Sequence, residues 1–173
     1  FGKTLTLVTQ TFGGTLESTK ELTREISGFA TNLNMLPSQA LESFNQSMSV
    51  LARNSMPEAV KQFKELSVVA QQTGVAINDL LTITAQFETF DSALNIVGEL
   101  NSMLGGPFLN SIDLMNAAFD EPAQVIMQLR EGIAASGQDF NTMDAAMQKA
   151  IAQAAGISDM SIASQILGYH RLI

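Results

Sequence analysis

The side chains that could do chemistry in this 173-residue chain are few and scattered. His170 is the only histidine and cysteine is absent, which excludes disulfides, thiolate nucleophiles and cysteine-type zinc sites. A histidine that acts as a general base or metal ligand needs partners, and the chain offers it no second histidine and no cysteine. We therefore predict a surface or interface position for His170.

Two pairs of carboxylates have a spacing that acid–base chemistry could use. Glu88 and Asp91 stand at i and i+3 of a predicted helix, and Asp120 adjoins Glu121. Such a pair works only in a cleft that keeps one carboxyl protonated, whereas a solvated face or a helix start needs no cleft. Phosphate-binding, calcium-binding and nucleophile-elbow motifs are absent from the sequence. We predict no catalytic residue, no cofactor and no metal; a hydrolase that uses Glu88 and Asp91 is the competing hypothesis.

Residues 151–167 could instead form a DNA-binding helix-turn-helix, because an alanine-rich helix, a Gly-Ile-Ser turn and a second helix follow one another. A recognition helix needs side chains that read bases and phosphates. The second helix offers one Gln and two Ser, and no Arg or Lys before Arg171. DNA binding is kept as an alternative function.

Charge and composition limit the possible partners. The formal net charge is −8, and no Lys or Arg occurs between Lys64 and Arg130, so the centre of the chain suits nucleic acid poorly. The sequence contains no run of about 18 uncharged apolar residues, so no membrane span is predicted within it. The sequence starts at Phe1 without Met and ends within an apolar pattern, and we interpret it as a piece of a longer protein. The carboxylates in the basic-free stretch include Asp79, Glu88, Asp91, Glu99, Asp113, Asp120 and Glu121.

Residues 86–119 are the most strongly patterned part of the chain. Apolar residues recur every three or four positions on both sides of Gly105-Gly106-Pro107, as on one face of a helix. The glycines permit positive φ and Pro107 lacks a backbone N–H, so the pattern predicts a helix, a corner and a second helix. The two apolar stripes are Phe87, Phe90, Leu94, Val97, Leu100 and Leu104, then Leu109, Ile112, Met115 and Phe119.

Residues 1–36 carry a heptad pattern over four to five repeats, which predicts one helix about 54 Å long with a seam for a partner. Pro37 is expected to end it by disfavouring α conformation at Leu36. The alternative is an amphipathic helix that lies on its own domain. Because the seam mixes residue types and includes bulky Phe12 and Phe29, we expect a parallel homotrimer before a dimer. The predicted seam is Leu5, Val8, Phe12, Leu22, Ile26, Phe29, Leu33 and Leu36.

The rest of the chain divides into about six shorter helices by proline, glycine and N-cap signals. Gly74-Val75 and Gly156-Ile157 each predict a left-handed helix end on which the next apolar residue packs. A polar N-cap is expected after each, at Asn78 with Asp79 and at Ser158 with Asp159. No segment alternates with period two, so no sheet is expected. The predicted fold is all-α: a long coiled-coil-like helix over residues 1–36, then a helical bundle region over 37–173 with a corner at 105–107.

Two stretches resemble the C-terminal part of tail tape measure proteins of large bacteriophages. In the first, residues 90–117, the similar feature is a helix broken at Leu-Gly-Gly-Pro. The second runs from Arg130 through residues 136–160, with Phe140 after a Gly-polar pair and an alanine-rich helix closed by Gly-Ile-Ser. The resemblance covers roughly residues 60–167 and includes no catalytic signature.

This resemblance implies a structural protein of the virion. Such proteins lie in the lumen of the phage tail tube, set tail length and leave ahead of the DNA at genome ejection. Several copies, commonly three, run in parallel, and the C-terminal end lies near the baseplate or tail tip. The implied partners are tail tube and baseplate or tail-tip proteins, and the implied location is the phage tail, with assembly in the host cytoplasm. A helical oligomerisation or interaction domain of another large assembly is the remaining alternative.

Overall fold

The computed structural model describes residues 16–168 of the chain, and these residues form only helices and their connections. Nine α-helices and one short 3-10 helix occur in this range, and no strand does, so the all-α prediction is confirmed. In chain order the helices are α1 Leu16–Asn32, α2 Pro37–Leu51, α3 Met56–Thr73, α4 Ile77–Ala85, α5 Phe90–Leu104, α6 Ser111–Asp120, α7 Pro122–Ala135, the 3-10 helix Phe140–Thr142, α8 Ala145–Ala154 and α9 Met160–Leu167.

The contacts group the chain into two compact units that divide between Val68 and Val69, within α3. Residues 16–36 therefore pack in the same unit as residues 37–68, whereas the sequence placed its boundary at residue 36. We refer to residues up to 68 as unit 1 and to residues from 69 onward as unit 2, and describe each by itself.

Unit 1 is built around two phenylalanines. Phe44 of α2 and Phe63 of α3 are both fully buried, and their rings meet edge to face with centroids 5.2 Å apart at an interplanar angle of 87°. Helix α1 packs against α2 and adds Ile26 to the same core. The Lys64 ammonium of α3 pairs with the Glu25 carboxylate of α1 and lies 5.8 Å from the centroid of the Phe29 ring.

The predicted helix over residues 1–36 is wrong at its C-terminal end. Helix α1 ends at Asn32, and Asn34 adopts a left-handed φ of 58°, a conformation that Asn tolerates better than most residues. The prediction for Pro37 holds only in part: Leu36 is extended, but Pro37 begins α2 and α1 has already ended. Residues 1–15 lie outside the described residues, and the structure does not show the long coiled-coil helix; no described helix exceeds the 18 residues of α3.

Two of the five described residues of the predicted partner seam are buried by their own chain. Leu22 and Ile26 are 4% and 0% exposed, so unit 1 alone already covers them. Leu36 is 62% exposed and follows the end of α1, which removes it from any helical seam. Phe29 and Leu33 are half-buried, and the remaining seam residues Leu5, Val8 and Phe12 lie outside the described range. At Leu22 and Ile26, α1 therefore packs as the alternative interpretation expected, as an amphipathic helix that lies on its own domain.

Unit 2 packs around α7. This helix contacts α4, α6 and α9, while α5 contacts α6 and α8. Arg130 of α7 is buried, and its guanidinium donates to the backbone carbonyls of Gln165 and Ile166 at the end of α9. These bonds satisfy carbonyl groups that the last turn of a helix leaves open, and they tie α9 to α7. The fully buried large side chains of unit 2 include Leu80, Phe87, Leu100, Leu114, Ile126, Leu129 and Phe140.

The two glycine helix ends are confirmed, and of the two polar caps predicted after them only the second is confirmed in part. Gly74 and Gly156 have φ of 76° and 77°, and the following Val75 and Ile157 are buried. Helix α4 begins at Ile77 with Ala76 at the N-cap, so Asn78 lies inside the helix. Before α9 the N-cap is Asp159, one residue after the predicted Ser158, and its carboxylate accepts from the backbone N–H of Ser161 at 2.8 Å.

Candidate interaction surface

The carboxylates that could have formed a catalytic pair lie at helix ends. Glu88 is half-buried just before α5, and Asp91 is exposed in its first turn. Asp120 is the last residue of α6 and Glu121 the N-cap of α7, both exposed. Among residues 16–168 no three carboxylate or histidine side chains cluster as a metal site would require, and His170 lies outside that range. Asp91 and Glu121 therefore lie at helix starts, whereas Asp120 ends α6 and does not cap α7.

The predicted helix-turn-helix segment is α8, a turn with Gly156 in the left-handed region, and α9. The exposed polar side of α9 consists of Ser161, Ser164 and Gln165. Of these, the Ser164 hydroxyl already donates to the Asn141 side chain at 3.2 Å. No Arg or Lys lies in α9, and Arg171 falls outside the described residues. Helix α9 thus presents hydroxyl and amide groups without the cations that phosphate contacts need.

The most prominent surface feature is apolar, and the sequence stripes placed its residues in the helical faces that normally cover a core. Phe90 and Leu94 of α5 are 49% and 48% exposed, and Ile112 and Phe119 of α6 are 52% and 43% exposed. Of the predicted stripes, Phe87, Val97, Leu100, Leu104 and Leu109 are buried, whereas these four residues face solvent. We call Phe90, Leu94, Ile112 and Phe119 the α5–α6 surface.

Small residues explain why the helices turned this way. Helix α5 buries Ala93 and Ile96 beside Val97 and Leu100, and α6 buries Ala117 and Ala118 beside Leu114. Alanine lets helices approach closely, so the core contact runs through the alanine-containing side of each helix. A stripe drawn through the largest apolar residues included the buried Val97, Leu100 and Leu104 but skipped the alanines, and it extended to residues that face solvent. Large apolar side chains were left on the outside as a result.

The exposed apolar residues are ordered along each helix. Phe90 and Leu94 are one turn apart on α5. On α6, Ile112 and Phe119 are seven residues apart and lie within about 20° of each other around the helix axis at 100° per residue. Asp113 and Asp120 form a second stripe with the same spacing, one residue further on, and both are exposed. An apolar stripe therefore runs beside an acidic one.

The corner that joins the two helices is formed as predicted. Helix α5 ends at Leu104, Gly105 takes a left-handed φ of 85°, and α6 starts at Ser111. The Asn110 side chain caps α6 by accepting from the backbone N–H of Ile112 and Asp113 at 2.9 and 3.0 Å. Gly105 needs glycine for its conformation, since other residues adopt positive φ at a cost.

Asn101 holds the corner closed and was not recognised from the sequence. Its side-chain amide donates to the Leu109 carbonyl at 3.0 Å, and its oxygen accepts from the Leu109 N–H at 2.9 Å. Both backbone groups of a buried residue are thus satisfied by one side chain eight positions earlier. The only sequence signal is a polar residue near the end of an apolar helix, which is too common to predict this role.

We expect Asn101→Ala to lower the free energy of unfolding by about 1 to 3 kcal/mol, because it leaves the Leu109 N–H and C=O without their partner. Asn95→Ala is the matched control: Asn95 is exposed on the same helix, and the change should stay within about 0.5 kcal/mol. Chemical denaturation followed by circular dichroism measures both. Equal effects of the two substitutions would contradict a structural role for the Asn101 bridge.

The corner also packs closely against α7. A Cβ atom placed on Gly132 of α7 would lie 2.4 Å from Cδ2 and 2.9 Å from Cγ of Leu109, which is buried and has little room to move. Gly132 is therefore required by contact rather than by backbone conformation. This contact and the Asn101 bridge together set where α6 begins.

Two glycine-to-alanine changes should have opposite signs. We expect Gly132→Ala to destabilise the protein by about 1 to 3 kcal/mol through the clash with Leu109. Gly98→Ala, in the middle of α5 with nothing within 4 Å of an added Cβ, should stabilise it by about 0.5 to 1 kcal/mol. Urea denaturation of both variants checks this, and two changes of the same sign would show that the α7 contact is looser than described.

The α5–α6 surface is also acidic. Asp91, Glu99, Asp113 and Glu121 are exposed on or beside the two helices, and within residues 16–168 none of the four forms an ion pair. The nearest cations along the chain are Lys64 and Arg130, of which Lys64 pairs with Glu25 and Arg130 is buried. The surface therefore combines outward apolar side chains with carboxylates that form no ion pair within the described residues.

Comparisons of the chain with protein-family models, with curated proteins and with solved structures found no match. Among the helices described, none is long and apolar enough to cross a membrane.

Proposed function

We propose that this chain is part of a bacteriophage tail tape measure protein, a structural virion component that works by binding other proteins. The observation that carries the proposal is the α5–α6 surface, where four large apolar side chains are 43% to 52% exposed. Exposed apolar residues grouped on neighbouring helices are typical of protein contacts. The surface lies within residues 90–120, which include the helix–corner–helix that resembles tape measure proteins.

In this role the chain lies in the tail tube lumen, contributes to setting tail length and contacts baseplate or tail-tip proteins until genome ejection. The acidic centre of the chain supports it, because a negative surface does not retain DNA that follows through the tube. Neither the acidic pairs nor α9 supports a reaction or DNA recognition. The proposal therefore includes no enzymatic activity, no cofactor and no specific nucleic acid.

We still propose parallel self-association, but through a seam that does not include Leu22 and Ile26. Leu22 and Ile26 are covered by their own unit and cannot also line a shared axis. A trimer would then associate through other residues of the parent protein. Sedimentation equilibrium of the 173-residue chain, well above micromolar concentration, tests whether these residues contribute to self-association. A monomer would mean that the parent protein associates through residues outside this chain.

The experiment that tests the function uses the gene from which this chain derives. Removing about 100 residues of helical heptads from the parent protein should shorten the phage tail by about 150 Å, at 1.5 Å per helical residue. Electron microscopy of purified particles measures tail length. The matched control deletes a non-structural gene of the same phage and should leave tail length unchanged. A parent gene with no heptad region, or tails of unaltered length, would overturn the proposal.

The same surface also supports a second candidate, an interaction domain of another large helical assembly. The α5–α6 surface requires a protein partner but does not require a tail tube. The two candidates differ in the deletion experiment, because only a tape measure protein makes tail length depend on its own length.

A further inference from the structure

We infer that the α5–α6 surface binds a basic amphipathic helix of another protein. The inference rests on the part of the proposed function that makes this surface a protein contact, and it adds the chemistry of the partner.

The apolar part of the surface suits a helix. Phe90 and Leu94 repeat after one turn, and Ile112 and Phe119 repeat after two turns on the neighbouring α6. A partner helix with apolar residues at i, i+3, i+4 and i+7 offers side chains at the same intervals. Each contact would remove from water apolar area that is now about half exposed.

The negative charge around these residues favours a partner of positive charge. Asp91 adjoins Phe90, and Asp113 adjoins Ile112, so carboxylates border the apolar side chains on both helices. None of the described Lys and Arg side chains forms an ion pair with Asp91 or Asp113, and the four apolar residues all lie in the basic-free stretch between Lys64 and Arg130. Lys and Arg at the edges of a docked helix would therefore meet carboxylates on α5 and on α6.

The same charges argue against occupants from this chain. A second copy of the α5–α6 surface would place carboxylates against carboxylates, which costs binding energy. The chain outside residues 16–168 brings only Lys3 and Arg171 as lysine or arginine, too few to complement the acidic border. A basic segment from outside these 173 residues is the occupant that agrees with both the apolar and the charged residues.

The test uses the full 173-residue chain and a synthetic helical peptide of about 18 residues, long enough to form a helix on contact. The probe carries leucines on one face and about six lysines on the other. Two controls share its length: a scrambled peptide of identical composition without an apolar face, and a peptide in which glutamate replaces lysine. Fluorescence anisotropy measures binding at low and physiological salt.

We expect the amphipathic basic peptide to bind at least about tenfold more tightly than either control, with weaker binding at higher salt. Phe90→Ser together with Ile112→Ser should weaken it at least about tenfold, because both side chains are exposed contact residues. Asp91→Asn together with Asp113→Asn should weaken it several-fold and reduce its salt dependence. Met160→Ser, which changes an exposed apolar residue of α9, should have no effect.

Three outcomes would overturn the inference. The scrambled peptide could bind as well as the amphipathic one, which would mean charge attraction alone. The acidic peptide could bind equally, or the Phe90 and Ile112 changes could leave binding intact while circular dichroism shows a folded variant. The peptide experiment and the tail-length experiment can fail independently. If the peptide does not bind but tail length changes, the chain is a tape measure protein with a different partner. If the peptide binds but tail length does not change, the surface belongs to another assembly.

Discussion

Replacing Ile26 with Asp is expected to unfold unit 1 at every protein concentration. Ile26 is 0% exposed, so the change removes a buried aliphatic side chain and places a carboxylate where water does not reach. The combined cost is at least about 4 kcal/mol. A unit of this size has a total stability of about 3 to 10 kcal/mol, so much or all of it would be lost.

Hydrogen exchange measured by mass spectrometry reads residues 16–68 separately from residues 69–168. In the Ile26→Asp variant, amide protection should collapse in the first range and should do so equally in dilute and concentrated samples. The control Gly28→Asp adds the same charge to α1 at an exposed site with nothing within 4 Å of an added Cβ, and should change stability by less than about 1 kcal/mol.

The same variant decides between two roles for the heptad residues of α1. If Ile26 lined an axis shared by three chains, Ile26→Asp would dissociate an oligomer and leave residues 16–68 protected in the monomer. Sedimentation equilibrium on wild type and variant records that result. Protection retained in a dissociated monomer would contradict the packing described for α1.

Phe63→Ala should lower the free energy of unfolding of unit 1 by about 3 to 5 kcal/mol. Phe63 is 0% exposed and its ring meets Phe44 edge to face, so its removal leaves a cavity and breaks an aromatic contact. The double variant with Phe44→Ala should be less destabilised than the sum of the two single variants, by about 0.5 to 1.5 kcal/mol.

Phe90→Ala is the matched control, since it removes the same atoms from a side chain that is 49% exposed. We expect it to cost less than about 1 kcal/mol. Guanidinium denaturation followed by circular dichroism compares the two phenylalanines. Equal losses would mean that Phe90 is a core residue, as the sequence stripe suggested, and would remove the basis of the α5–α6 surface.

The helical class of the chain, its central corner and two of its helix ends follow from the sequence alone. These features depend on local chemistry: apolar spacing of three to four residues, glycines that adopt positive φ at Gly74, Gly105 and Gly156, and a proline that cannot donate a hydrogen bond. Residues next to one another in the chain determine each of them, so a reading of the sequence was sufficient.

The faces that the helices bury were decided by the tertiary structure. Helix α1 has heptad spacing that suits either a partner chain or its own domain, and only the packing of Ile26 in unit 1 distinguishes them. Helix α5 has more apolar residues than one face can hold, so the neighbours decide which are covered. They cover Ala93 and Ile96 and leave Phe90 and Leu94 outside, because close packing favours the side with the small residue.

The same reason applies to the polar residues that hold unit 2 together. Asn101 bonds to Leu109 across the corner, and Arg130 bonds to the end of α9 from a distance of more than thirty residues along the chain. Nothing next to either residue in the sequence marks these partners. The α5–α6 surface likewise exists only because two helices, each with an ordinary apolar pattern, cover their alanine-containing sides and turn large apolar side chains toward water.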